Sequence, residues 1–187
     1  MGQISVETCE IEGLKIITPT VHGDARGYFI ETYNRNDFVE AGIDCVFVQD
    51  NQSSSTGNVL RGLHFQINHP QDKLVRALKG TVFDVAVDLR PGSKTFGKWH
   101  GVVLSEENKK QFFVPKGFAH GFYVMSDYAE FAYKCSDVYH PGDEGGLMFD
   151  DPDIGVEWPF KDKNALILSE RDTKWGGIKE YEKQYIK

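Results

Sequence analysis

The stretch TVFDVAVDL, Thr81 to Leu89, decides the fold. Phe83, Val85, Val87 and Leu89 alternate with Val82, Asp84, Ala86 and Asp88. Apolar and polar positions at a period of two predict a half-buried β-strand. The RPGS that follows, Arg90 to Ser93, is a turn signal. Working outward, GVVLS (101–105), QFFVP (111–115), HGFYVMS (120–126) and AEFAYKCSDVY (129–139) read as further strands, each bounded by Gly, Pro, Ser or Asp. VLRGLHFQ (59–66) reads the same way, although it carries Arg61, His64 and Gln66 and a glycine, Gly62, that weakens a strand. Several short strands separated by turn signals mean an all-β sandwich or barrel. YNRNDFVEAGI (33–43) predicts one short helix, starting near Asn36 or Asp37 and ending at Gly42. NQSSSTGN (51–58) reads as a polar loop between strands. The tail after Pro159 mixes a short apolar run with a terminal helix.

Composition sets the outer limits. The chain has 187 residues, 40% hydrophobic and 26% charged, which suits one domain over residues 1–187 with a buried core. The net charge of -7 disfavours nucleic acid as a partner. No apolar run is long enough to span a membrane, and the N-terminus lacks the basic start and apolar core of a secretory signal. MGQISV loosely fits a myristoylation pattern at Gly2, but the residues after it read as the start of the fold. Cys9, Cys45 and Cys135 are odd in number and widely spaced, which argues against a disulfide framework or zinc site and for a reducing cytoplasm. Between Arg61 and Gly80 the charge is locally positive, with Arg61, Lys73, Arg76 and Lys79 against Asp72. Such a patch beside a histidine fits either a small anionic ligand or a solvated basic face.

Four groups of residues carry chemistry. In a regular strand His64 shares a face with Leu60, Gly62 and Gln66, and Arg61 points the other way. Either Gly62 hosts a bulge that re-aims Arg61, or Arg61 serves a different contact. VPKGFAHGF (114–122) resembles the second motif of cupins, PxGxxH, ending at His120. A cupin metal site also needs an HxH and a downstream glutamate. Here HFQ places Gln66 at the second histidine, and Lys73 falls where the glutamate belongs, so two ligands are missing and a cation stands among them. This predicts a barrel with no metal cofactor. His69, beside Pro70, reads as a loop residue rather than a substitute ligand. Tyr133, Cys135, Asp137 and Tyr139 share one face if their strand continues. Finally, LSERD (168–172) offers Asp172 either as a carboxylate folded back onto His64 or as a helix N-cap.

Taken together, the segments DARGYFIETYN, FVQDNQS, VLRGLHFQ, PQDKLVRALKG, FDVAVDLRPGS, FGKW, VPKGFAHGF, YKCSDVY, PGDEGG, DPDIGVEWP and LSERD resemble the dTDP-4-dehydrorhamnose 3,5-epimerases, cupin-fold enzymes of dTDP-L-rhamnose biosynthesis. They run in family order from about Ile11 to Asp172. The resemblance implies a cupin-type jelly-roll barrel with an extended N-terminal segment and short C-terminal helices. It implies His64 as proton acceptor with Asp172 as its partner, Tyr133 as proton donor, and Lys73 as the cation near the sugar keto oxygen. It implies substrate contacts from Arg26, Glu31, Gln49, Asp50, Asn51, Arg61, His120, Tyr139 and Glu144, with Tyr139 stacked on thymine. Arg171 stands where the family often has lysine, so the charge is kept and the geometry changed.

The resemblance further implies a dTDP-sugar substrate, no cofactor, no metal and a homodimer in which Arg26 and Glu31 complete the partner's pocket. Neither nucleic acid nor membrane is implied as a partner, and the setting is cytoplasmic. A base, an opposed acid and a cation suit inversion of carbons made acidic by a neighbouring ketone. Three alternatives share parts of this residue set. They are a single-centre epimerase or ketoisomerase on a related nucleotide sugar, a non-catalytic sugar-binding cupin, and a metal-dependent cupin. Gln66 and Lys73 disfavour the last.

Overall fold

The computed structural model describes residues 3–186, so Gly2 lies outside the described residues. The chain runs β1 (Ile4–Thr8), β2 (Lys15–Pro19), β3 (Val21–Asp24), β4 (Gly27–Ile30), α1 (Arg35–Glu40), β5 (Gln49–Thr56), β6 (Leu60–Gln66), β7 (Lys73–Lys79) and β8 (Thr81–Asp88). It continues with β9 (Trp99–Ser105), β10 (Gln111–Val114), β11 (Phe118–Val124), β12 (Tyr128–Cys135), β13 (Glu144–Gly146), a short 3₁₀ turn and α2 (Ile178–Tyr185). Two antiparallel sheets face each other, in the orders β1-β2-β10-β7-β12-β5 and β13-β6-β11-β8-β9. This is the all-β barrel that the strand spacing predicts, in the jelly-roll form that the resemblance implies.

The core between the sheets is filled by Val75, Ala77, Phe112 and Phe131 from one side and Val82, Ala86, Val102, Leu104 and Phe122 from the other. β8 departs from its expectation. It was read as half-buried, yet both its faces are covered: Val85 and Val87 pack outward against Leu147, Phe149, Ile154, Trp158 and Ile178 from the C-terminal tail. Fully burying such a side chain stabilises by about 1.5–3 kcal/mol, so the tail is a structural layer of the barrel. The inward positions Asp84 and Asp88 are therefore sealed as well, each with no exposed surface.

Two local readings are corrected. The polar run 51–58 is mostly strand: β5 pairs with β12 over eight residues, from Gln49↔Cys135 to Thr56↔Tyr128. It is an edge strand with water on one face, so its polar side chains contradict no burial pattern. Helix α1 is capped by Asn34, whose side chain accepts from the Asn36 backbone N–H, two residues before the expected start. Its Phe38 packs with Ile17, Ile43, Leu74 and Phe113 on the outside of the first sheet. All three cysteines are free. No described helix is long and apolar enough to cross a membrane.

Candidate active site

The cleft begins with a change of parity in β6. His64 pairs with His120 of β11, and Arg61 pairs with Phe122, so three steps on β6 match two on β11. The extra residue turns Arg61 to the same side as His64, and both line a cleft of about 440 Å³ inside the barrel. Leu63 goes to the outer apolar layer. Gly62 makes this possible. Its φ is +120°, and a Cβ there would stand 2.5 Å from Gly121 Cα. Only glycine fits so close a backbone approach. Of the two alternatives for Arg61, the bulge is the one present.

Asp172 reaches His64 across 108 residues of sequence. Ile167 forms a parallel bridge with Val59, donating to the Asn58 carbonyl at 2.9 Å and accepting from Leu60 N–H at 3.1 Å. This lays Leu168 to Asp172 over the mouth of the barrel. Asp172 Oδ1 then lies 2.5 Å from His64 Nε2. Trp175 Nε1 donates to the same oxygen at 3.3 Å, and the Asp172 N–H donates to Ser169 Oγ at 3.1 Å. Asp172 is 3% exposed. Burial alone would raise its carboxyl, but the hydrogen bonds and the charge of His64, with Ser169 and Trp175, hold it below the usual carboxylate range. The α2 helix is capped at Gly177 instead, so Asp172 is no N-cap of it.

A second pair stands beside the first. His120 Nε2 lies 2.8 Å and 3.0 Å from the two oxygens of Asp84, and both side chains are buried. Burial raises the Asp84 carboxyl against the pull of His120 and Lys73. Lys73, at the start of β7, lines the same cleft. Burial lowers its pKa, opposed by Cys135, Asp84 and Glu144. Tyr133 of β12 faces the same space. Its phenol is pushed up by burial and by Cys135, so it is protonated at neutral pH.

The cleft continues outward to Gln49, Asn51, Cys135, Tyr139 and Glu144. Gln49 Nε2 donates to Asn51 Oδ1 at 2.9 Å, and Gln49 Oε1 accepts from the Tyr139 N–H at 2.9 Å. Glu144 arrives on β13, which pairs with β6 at Glu144↔Gln66. Its carboxylate accepts from the Tyr139 hydroxyl at 3.2 Å and forms an ion pair with Arg171. Arg61 is steadied by Ser55 Oγ at 3.1 Å and the Ser54 carbonyl at 3.3 Å.

Some expected residues lie elsewhere in this chain. Asp50 points out of the barrel and pairs with Lys134 at 2.9 Å, because it alternates with Gln49 and Asn51 along β5. Arg26 sits on the β3–β4 hairpin, bound to Asp24 at 2.5 Å and 90% exposed. Glu31 accepts from Asn34 Nδ2 at 3.2 Å outside the cleft. Gln66 is spent on structure: its amide donates to the His69 and Val138 carbonyls and accepts from the His140 N–H. β12 stops at Cys135, so Tyr139 reaches the cleft from a loop and Asp137 turns away. Three contributors were not read from the sequence. Asp84 stands among the polar positions of the alternating β8 stretch and reads as its wet face, and the sequence gives no sign of Ser169 or Trp175 as contributors.

A jelly-roll barrel whose interior holds two histidine–carboxylate pairs, a protonated phenol and a lysine amine defines a cupin-fold enzyme built for proton transfer. Among the described residues no cluster of three metal-ligating side chains includes His64 or His120. The family described as dTDP-4-dehydrorhamnose 3,5-epimerase matches residues 8–180. An enzyme of that name from Methanothermobacter thermautotrophicus is 52% identical over 180 residues, covering 96% of this chain and 97% of that one. One from Escherichia coli K12 is 51% identical over 173 residues, covering 91% and 92%. The crystal structure of a dTDP-6-deoxy-D-glucose-3,5-epimerase from Legionella pneumophila, in complex with dTDP-4-keto-L-rhamnose, superposes with a TM-score of 0.91 at 49% identity, covering 94% and 93%. The chain belongs to the dTDP-4-dehydrorhamnose 3,5-epimerase family and is an isomerase of dTDP-L-rhamnose biosynthesis.

Proposed function

We propose that this cleft epimerises C3 and C5 of dTDP-4-dehydro-6-deoxy-D-glucose through an enolate, with His64 as base. The observation that carries the reading is the 2.5 Å contact between His64 and the ionised Asp172 in a cleft shared with Tyr133 and Lys73. The 4-keto group acidifies the hydrogens on both neighbouring carbons. His64 takes a proton, and Asp172 stabilises the imidazolium that forms. The electron pair moves into the C4 oxygen as an enolate, where Lys73 supplies positive charge and the His120–Asp84 pair a further polar contact. Tyr133 then delivers a proton to the other face of the carbon, the phenolate regains one from solvent, and His64 releases the proton it took to solvent before the second centre reacts. One proton leaves and one returns at each centre, so the atoms balance without a redox step.

Binding is divided along the cleft. Arg61 meets the diphosphate, Tyr139 offers its ring to thymine, and Gln49, Asn51, Glu144 and Arg171 shape the nucleotide end. Asp50 lies outside this scheme, because its carboxylate is on the far face of the sheet. Arg26 and Glu31 contribute through a homodimer. Among the described residues the β3–β4 hairpin forms a two-stranded sheet of its own and leaves Val21, Tyr28 and Phe29 between 44% and 68% exposed, an apolar arm that a second copy covers while Arg26 enters its cleft. Light scattering at micromolar concentration is expected to give twice the chain mass; a monomer contradicts the arm's role.

Tyr133→Phe tests the chemistry. The ring stays, so the barrel wall stays filled, and losing a hydroxyl contact costs about 0.5–1.5 kcal/mol of stability at most. Exchange of the substrate's C3 and C5 hydrogens with deuterated solvent is expected to survive better than formation of the L-configured product. Normal product yield from Tyr133→Phe would refute Tyr133 as the acid.

A further inference from the structure

We propose that His69, Asp137 and His140 form a binding site for a divalent transition-metal ion at the rim of the cleft. The site is separate from the His64 and His120 pairs and independent of the reading given above. One donor atom from each of the three residues lies within 4.8 Å of the other two. His69 Nδ1 is 3.6 Å from Asp137 Oδ2, and His140 Nε2 is 3.8 Å from Asp137 Oδ1. The two imidazoles stack, with centroids 3.6 Å apart and planes 13° from parallel, so both rings present a nitrogen to one carboxylate. Metal–nitrogen and metal–oxygen bonds near 2.0–2.2 Å put the ligand atoms of a tetrahedral zinc about 3.3 Å apart. To bind, the rings splay out of their stack and the three donor atoms close from within 4.8 Å to about that spacing. They are free to do so, since all three side chains are between 34% and 47% exposed.

The donor chemistry selects the ion. Two imidazoles and one carboxylate suit Zn²⁺, Co²⁺, Ni²⁺ or Cu²⁺, whereas Mg²⁺ and Ca²⁺ prefer oxygen ligands. A fourth position stays open to water. The backbone beneath the ligands is fixed before any ion arrives. Gln66 holds the His69 carbonyl at 2.7 Å and the His140 N–H at 2.9 Å. Asp143 accepts from the His69 N–H at 2.9 Å, and Gln71 donates to the Asp137 carbonyl at 2.8 Å. Such support lowers the ordering cost of binding. A bound ion would join the loop that leads into Lys73 to the loop that carries Tyr139, and so brace the outer wall of the cleft.

Isothermal titration of EDTA-treated protein with zinc chloride tests this, alongside the His69→Gln/His140→Gln double variant and, as a second probe, Asp137→Asn. The expected result is one Zn²⁺ per chain at pH 7.5 and loss of that binding in the double variant. Asp137→Asn should weaken it at least tenfold. The thermal midpoint should rise by several degrees with zinc in the wild type and not in the double variant. Without metal, the variants should melt close to the wild type, since the substituted side chains are partly exposed. Zinc binding of equal strength in the double variant would place the ion elsewhere and overturn the proposal. Failure of the wild type to bind at pH 7.5 would overturn it as well.

Discussion

The two histidine–carboxylate pairs in the barrel are alike in geometry and opposite in construction. His120 and Asp84 sit on adjacent strands of one sheet, with register Phe122↔Asp84 and His120↔Ala86; Asp84 is sealed from water and His120, though buried, lines the cleft. His64 and Asp172 are joined only because the tail folds back over the mouth of the barrel, and the His64 side chain keeps 20% of its surface open. The carboxylates differ too. Burial raises the Asp84 carboxyl, whereas hydrogen bonds hold Asp172 low despite its burial. An ionised carboxylate steadies an imidazolium; one that burial pushes toward the neutral form does so less. On the proposed reading, the pair whose histidine is more open to the cleft and whose carboxylate keeps its negative charge is the one suited to take a proton. The pair built into the sheet is equipped to hold a position.

Substitution can break this comparison. Asp172→Asn keeps the shape of the side chain and removes its charge, so kcat should fall by about 10²–10⁴-fold with dTDP affinity little changed. Asp84→Asn should cost less, roughly tenfold, since it alters the setting of His120 and Lys73 and not the base. A larger loss from Asp84→Asn than from Asp172→Asn, read from steady-state kinetics, would exchange the roles of the two histidines.

A third carboxylate sharpens the contrast with the smallest effect on catalysis. Asp88 shares the inner face of β8 with Asp84 and is equally buried. Burial would raise it, but Arg90, Ser93 and Thr95 donate to it at 2.6–2.8 Å and bring it to about 2. Its folded value lies below the unfolded one near 3.9, so its contribution to stability is present above about pH 4 and fades as pH falls toward 2. Allowing for solvent around Arg90, Asp88→Asn should lose roughly 1–2 kcal/mol at pH 7. The gap from wild type should narrow in denaturation curves below pH 4, while kcat per folded enzyme stays near wild type. A loss of stability independent of pH would mean that the carboxylate's charge is not what the turn uses.

The sequence shows the barrel because strand-forming runs and turn residues are local signals, carried by β6 and by β8 to β12; β7, whose KLVRALK does not alternate, does not read as a strand. The sequence does not show that the tail covers the outer face of β8, since Trp158 and Ile178 find their partners only in three dimensions. NQSSSTGN looked like a loop because an edge strand exposed to water needs no apolar residues. In the site, His64, Lys73, His120 and Tyr133 were legible as departures from strand chemistry or from a cupin metal set. Asp172 was legible only as a choice between a cap and a fold-back. Asp84 was overlooked because an aspartate in an alternating strand reads as the wet face, and here that face is the inside of the barrel. Asp50 and Asn51 look equivalent in sequence, yet the period of two sends them to opposite sides of β5.

The assignment of His64 as base meets its most direct test in solvent exchange. His64→Ala removes the imidazole and leaves Asp172, Tyr133 and Lys73 in place. The variant is incubated with dTDP-4-dehydro-6-deoxy-D-glucose in deuterated water, and NMR follows C3 and C5. The expected result is no deuterium at either carbon and no L-configured product, with dTDP still bound at an affinity near wild type. Deuterium entering C3 or C5 at a rate near that of the wild type would show that another group takes the proton, and would contradict the account.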